Sequence, residues 1–149
     1  MDGDMTASRD DCLDLTLSSD PIAVRKALTR LQRRLLQTGV EPDAAGRVEL
    51  VLAEVLNNVV EHALAGKKGG LIRLNLDKVN EKISVEVTDE GAPFQGSELP
   101  EGQMPDAGDV PEGGFGWPII HALTEDLAYD RIGERNILRF SVPLRDAKA

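Results

Sequence analysis

Leu13, Leu15 and Leu17 alternate with Asp14, Thr16 and Ser18, the period-two pattern of a half-buried strand. Ser19 and Asp20 followed by Pro21 then signal a helix start, with a capping side chain ahead of a proline in the first turn. Val24, Leu28, Leu31 and Leu35 fall at helical spacing, and Gly39 offers a stop. A second helix is expected from Pro42–Asp43 to Gly66, with Val48, Leu52, Val55, Val59 and Ala63 as its apolar stripe. Two alternating segments follow, Ile72/Leu74/Leu76 and Ile83/Val85/Val87, with Val79–Asn80–Glu81 as the turn of a hairpin.

The composition then shifts. Between Gly91 and Pro118 lie 7 of the 14 glycines and 5 of the 8 prolines, which excludes a regular element. Loops beyond ~12–15 residues are uncommon in compact domains and usually carry function or are disordered. A short helix is expected from Trp117 to Thr124. Strands near Leu127–Ile132 and Asn136–Pro143, joined through Gly133, complete the pattern. Residues 1–11 read as a flexible lead-in and 12–145 as one domain. The order strand, two helices, hairpin, long loop, helix, hairpin predicts a two-layer α/β sandwich. Three amphipathic helices would cover one face of a mostly antiparallel sheet of about five strands.

Composition narrows the chemistry. The 149 residues suit a single core, and with aromatics at only 3% that core must be built from Leu, Val and Ile. A net charge of −9 gives nucleic-acid binding no electrostatic help. Any phosphate-bearing ligand would need local help from a metal ion or from backbone N–H groups. Cys12 is the single cysteine, which excludes an internal disulfide, and with only His62 and His121 beside it a cysteine-rich zinc site is excluded too. No apolar run approaches the ~20 residues that span a bilayer, so no membrane partner is expected and a cytoplasmic location is the default.

Three clusters could carry chemistry. On the second helix Glu54, Asn58 and Glu61 form a narrow polar stripe away from Leu52, Val55 and Val59. It is either a solvated face or a general base one turn from a Mg²⁺ ligand. Asp89–Glu90–Gly91–Ala92–Pro93–Phe94 ends a strand. It is either an ordinary turn or a carboxylate that accepts from an adenine amino group, with Gly91 letting a flat base come close. Gly113–Gly114–Phe115–Gly116 runs into a helix, either as a hinge or as a cradle of N–H groups for an anion. Neither a Rossmann fingerprint nor a Walker A sequence is present.

In order along the chain, the three clusters resemble the N, G1 and G2 boxes of the ATPase superfamily that includes gyrase, the Hsp90 chaperone and histidine kinases. The stretches ELVLAEVLNNVVEHA (Glu49–Ala63), VTDEGAPF (Val87–Phe94) and EGGFGWPIIHALTEDLAY (Glu112–Tyr129) are similar to the anti-sigma-factor serine kinases. The resemblance covers roughly Asp20 to Leu144. It implies ATP and Mg²⁺ as cofactors, with Glu54 as catalytic base and Asn58 as the Mg²⁺-binding residue. Asp89 would read the adenine amino group above Gly91, and Gly114 and Gly116 would hold the phosphates. His62 also aligns, with its role open.

The implied activity is transfer of the ATP γ-phosphate to a serine of an anti-anti-sigma protein of the STAS fold, coupled to sequestration of a sigma factor, in a homodimer. An autophosphorylating histidine kinase would need a separate dimerisation helix carrying the histidine; none is read in the residues ahead of the domain, so that activity is not expected. Two alternatives stand beside the kinase: a nucleotide-gated anti-sigma binding module without phosphoryl transfer, against which Glu54 argues, and a structural α/β domain. The chain departs from the family pattern in three places. Pro93 replaces the second glycine of the G1 box, Trp117–Pro118 follow the last glycine, and no Lys or Arg lies between Lys82 and Arg131, where the family often has a basic lid residue.

Overall fold

The structure, a computed structural model, describes residues 12–63, 70–93 and 116–145, the side chains of 62, 63 and 116 excepted. Strand β1 (Cys12–Ser18) leads into helices α1 (Pro21–Gln37) and α2 (Pro42–Asn58), the second continued by a π-helical turn, Val59–Ala63. The hairpin β2 (Leu71–Val79) and β3 (Lys82–Asp89) follows, then α3 (Gly116–Leu123) and the hairpin β4 (Glu125–Ile132) and β5 (Arg135–Pro143). The sheet runs β1-β2-β3-β5-β4, and each neighbouring pair is antiparallel. With the three helices on one face, this is the two-layer sandwich expected from the sequence.

Local signals account for the element ends. The Asp20 carboxylate accepts from the Ala23 N–H at 2.9 Å and from the Ser18 hydroxyl at 2.9 Å, capping α1 ahead of Pro21. These bonds, the Ala23 N–H first, hold its pKa below the ordinary 3.8. Gly39, at φ +91°, takes the turn out of α1. The β2–β3 turn consists of Asn80 and Glu81 alone, with Val79 paired to Lys82; both turn residues have positive φ, 53° and 30°. Such a two-residue connection matches the right-handed twist of the strands.

The core is aliphatic, as the scarcity of aromatics requires. Helix α2 lies between α1 and α3 and supplies Ala44, Ala45, Val48, Val51, Leu52, Val55 and Leu56 to it. Facing it from the sheet are Leu15, Leu17, Ile72, Leu74, Leu76, Ile83, Val85, Val87, Leu138, Phe140 and Val142. Trp117 and Ile120 of α3 join this layer, so the departure at Trp117 places its ring in the core. Pro118 sits in the first turn, where its missing N–H costs no helical bond.

The second helix differs from expectation in one respect. The periodicity predicts one α-helix to Gly66, but α-geometry ends at Asn58 and a π turn takes over, with residues 64–69 outside the described part. A wider turn there changes which way the residues beyond Asn58 face.

On the outer face of the sheet the side chains are charged and paired across strands. Arg139 reaches Glu86 at 2.8 Å and Asp130 at 3.1 Å, and Arg73–Asp14 and Arg135–Glu90 lie at 3.8 Å. A concavity of about 500 Å³ on this face is lined by Asp14, Thr16, Arg73, Asn75, Glu86 and Arg135, among others. Edge strand β4 has no buried residue, and its pairing to β5 shifts between Glu125 and Ala128, where Asp126 takes φ +56°. Among the described residues no helix is long and apolar enough to cross a membrane.

Candidate functional site

Helix α2 brings the first pair of candidate residues together. Glu54 and Asn58 are one turn apart, about 6 Å along the axis, and they differ in environment. Glu54 is half-buried and Glu61 exposed, but Asn58 is only 5% exposed. The sequence placed Asn58 on a polar stripe clear of the apolar one, and the structure corrects this. With Val51, Leu56 and Val59 buried as well as Leu52 and Val55, the buried arc of α2 is wider than the stripe and includes Asn58.

The Asn58 amide nitrogen has no hydrogen-bond partner among the described residues. Buried polar atoms are normally satisfied, so an orphan marks a strained or a binding position. Rotation about the terminal torsion exchanges the amide nitrogen and oxygen, so the same point can be offered as an oxygen ligand. Mg²⁺ takes oxygen ligands, commonly one or two from protein beside waters and phosphates. Asn58 therefore fits a Mg²⁺–nucleotide, and among the described residues no cluster of three His, Cys, Asp or Glu forms a competing metal site.

The sheet positions the second pair. Asp89, last residue of β3, points into the space between the layers and is 3% exposed. Its Oδ1 accepts from the Gly91 N–H at 2.7 Å, which folds the chain tightly after the strand. Gly91 is buried in turn. A carboxylate at a strand end with a glycine two residues on is the arrangement that the family resemblance assigns to base recognition.

Three residues that sequence reasoning missed surround this pair. Register places Asp89 opposite Asn136 across β3 and β5, and Asn136 opposite Arg131 across β5 and β4. Asn136, 1% exposed, donates its amide to Asp89 Oδ1 and to the Ala92 carbonyl, both at 2.9 Å. Its Oδ1 accepts from the Tyr129 hydroxyl at 2.6 Å and from Arg131 Nη1 at 3.1 Å. Arg131 Nη1 also donates to the Gly91 carbonyl at 2.6 Å. One signal was available: Asn136 opens the inward series Asn136, Leu138, Phe140, Val142, a polar residue at a core position of β5.

Of the glycines assigned to the phosphates, Gly116 is the first residue of α3, while Gly114 lies outside the described residues, as does the His62 side chain. The two pairs come from different layers, Glu54 and Asn58 from the helices, Asp89 and Gly91 from the sheet.

The architecture is that of a kinase-like ATPase domain, an open antiparallel sheet with its helices on one side. The chain belongs to one family of them in particular, the histidine kinase-like ATPase domain, whose sequence model matches residues 17–142. Among curated proteins, blue-light-activated histidine kinase 2 of Erythrobacter litoralis is 29% identical over 115 residues, which is 73% of this chain and 30% of that protein. Among solved structures, the RsbU and RsbW domains of Rv1364c from Mycobacterium tuberculosis superpose with a TM-score of 0.64. That match covers 89% of this chain and 32% of the other at 16% identity, a likeness of fold alone. The Erythrobacter litoralis EL346 blue-light activated histidine kinase gives a TM-score of 0.50 at 28% identity, covering 73% of this chain and 33% of that one. The chain thus spans about a third of the length of these relatives.

Proposed function

We propose that the chain is an ATP-dependent protein serine kinase that phosphorylates an anti-anti-sigma protein of the STAS fold and sequesters a sigma factor. The observation that carries the chemistry is the pairing on α2 of a solvent-reachable carboxylate, Glu54, with a buried and unsatisfied amide, Asn58, one turn away. A general base must meet the incoming hydroxyl, whereas a metal-holding amide must be fixed and dry; the two residues are divided in that way. Asp89 accepts from the adenine amino group, and Gly91 leaves room for the base. Glu54 takes the proton of the substrate serine as its oxygen attacks the γ-phosphorus, and ADP departs. Mg²⁺, held through Asn58, would offset the charge of the phosphates. The serine-kinase assignment rests on the sequence resemblance in the three boxes, beside the fold likeness to the RsbW-containing structure.

The test is incubation of the chain with Mg²⁺ and γ-labelled ATP, with and without a STAS protein encoded beside it. Label on the STAS protein that survives acid marks a phosphoserine and supports the proposal. Acid-labile label on the chain itself marks histidine chemistry, the activity named for the Erythrobacter relative. ADP binding without any transfer returns the reading to a nucleotide-gated binding module.

A further inference from the structure

Asn136 is an amide whose two ends are not interchangeable. A guanidinium carries only donors and a backbone carbonyl only accepts. With Arg131 Nη1 at 3.1 Å on one side and the Ala92 carbonyl at 2.9 Å on the other, the oxygen must face Arg131 and the NH₂ must face Ala92. Turning the amide over would set donor against donor and acceptor against acceptor. The Tyr129 hydroxyl, 2.6 Å from the same oxygen, adds a second donor on that side. Asn136 is therefore obliged to present N–H to Asp89, and it does so at 2.9 Å.

The consequence falls on Asp89. Its Oδ1 meets the Asn136 N–H and, at 2.7 Å, the Gly91 N–H, both donors. Two hydrogen bonds donated to a carboxyl favour its charged form over the acid, so the side chain enters the site as a hydrogen-bond acceptor. Because Asp89 and Asn136 are 3% and 1% exposed, water is poorly placed to repair a mismatch. Arg131 fixes the same arrangement from the loop side, holding the Gly91 carbonyl at 2.6 Å.

We infer that Tyr129, Arg131 and Asn136 are the specificity-determining relay of the base site: they fix Asp89 as an acceptor and so select purines bearing an amino group over those bearing a carbonyl at the contacted position. The inference rests on the proposed assignment of Asp89 to the base edge. Arg131 and Asn136 are positioning residues, acting through Asp89. Sites built to pair with one hydrogen-bonding group reject an analogue that lacks it far better than apolar pockets reject a change of size.

The experiment is calorimetric titration of the full chain with ADP and with IDP, in which a carbonyl replaces the adenine amino group. The wild-type chain is expected to prefer ADP by about 10- to 100-fold. Asn136→Asp replaces the amide by a second carboxyl, so that a proton must be shared with Asp89 and a donor becomes available there. The preference should fall below about threefold and vary with pH, a response that loosened packing does not produce. Arg131→Gln, whose amide can donate or accept, lowers the preference several-fold; Arg131→Lys, which keeps only donors, retains it. Should Asn136→Asp fail to show a cooperative melt, the Arg131 pair decides the question. Equal binding of ADP and IDP by the wild-type chain, or an unchanged preference in folded Asn136→Asp or in Arg131→Gln, overturns the relay. Binding of neither nucleotide by the wild-type chain overturns instead the assignment of Asp89 to a base.

Discussion

Glu54 and Asn58 share one face of α2 at a spacing of one turn, yet the amide is buried and the carboxylate reaches solvent. Their removal should therefore have different effects. Glu54→Gln keeps the shape and a hydrogen-bonding oxygen while deleting the proposed base. It is expected to bind ADP as the wild-type chain does and to lose about 10²–10⁴-fold in phosphoryl transfer. Asn58→Ala deletes the amide proposed to hold the metal and should instead abolish the gain in ATP affinity that Mg²⁺ provides. Calorimetry with Mg²⁺ and with EDTA, beside a transfer assay, separates the two; full transfer by Glu54→Gln would remove the base from the scheme.

Asp89→Asn tests the proposed contact with the adenine base. A hydrogen bond to a charged group contributes ~1.5–3 kcal/mol, and its loss should weaken ADP by about ten- to a hundred-fold. The measurement is an ADP titration at constant Mg²⁺. Equal affinities would place the base elsewhere.

The strand and helix signals were legible because they are local. Alternating Leu13/Leu15/Leu17 and the Ser19–Asp20–Pro21 start each depend on neighbours a few residues away, and each element formed where they indicated. Asn58 was misplaced because a helical wheel sorts residues by polarity, and an asparagine counts as polar whichever way the packed helix turns it. The Asp89–Asn136–Arg131 row was invisible for a different reason. It depends on β5 lying between β3 and β4, so that a residue 47 positions from Asp89 becomes its partner. No local pattern encodes that order. The π turn after Asn58 was likewise hidden, since the apolar spacing reads the same through it.

The cap of α1 gives stability a pH dependence. Because the Asp20 pKa is lowered on folding, chiefly by the Ala23 N–H, its contribution is complete above the ordinary 3.8 and is lost as the pH falls through the lowered value. The Asp20→Asn variant would still cap the helix but would not titrate. The melting temperature of the wild-type chain should therefore decline relative to Asp20→Asn between about pH 4 and pH 2. A gap between the two melting curves that does not change over that range would show that the cap is not coupled to protonation.

The hairpin of β2 and β3 offers a stabilising change. Glu81 adopts φ +30°, a conformation in which its Cβ is crowded, at the second position of a two-residue turn. Glycine there meets no such crowding. Glu81→Gly should raise stability to denaturant by up to about 1 kcal/mol, in spite of losing an exposed ion pair with Arg145 at 3.1 Å. A lower denaturation midpoint would mean that the ion pair outweighs the backbone.

The bulged, charged edge at β4 bears on how the protein behaves in a crowded solution. An open sheet has two outer strands whose unpaired N–H and C=O groups can recruit a strand from another molecule. At β4 the register shift near Asp126 breaks the flat run of such groups, and the strand carries Glu125, Asp126, Asp130 and Arg131, with Glu125 paired to Lys82 at 2.7 Å and Asp130 to Arg139 at 3.1 Å. A neighbouring copy approaching that side meets a kinked ladder and charged side chains that strand pairing would strip of water. Growth of the sheet into an ordered aggregate is thus obstructed at this edge by the backbone and by charge at once.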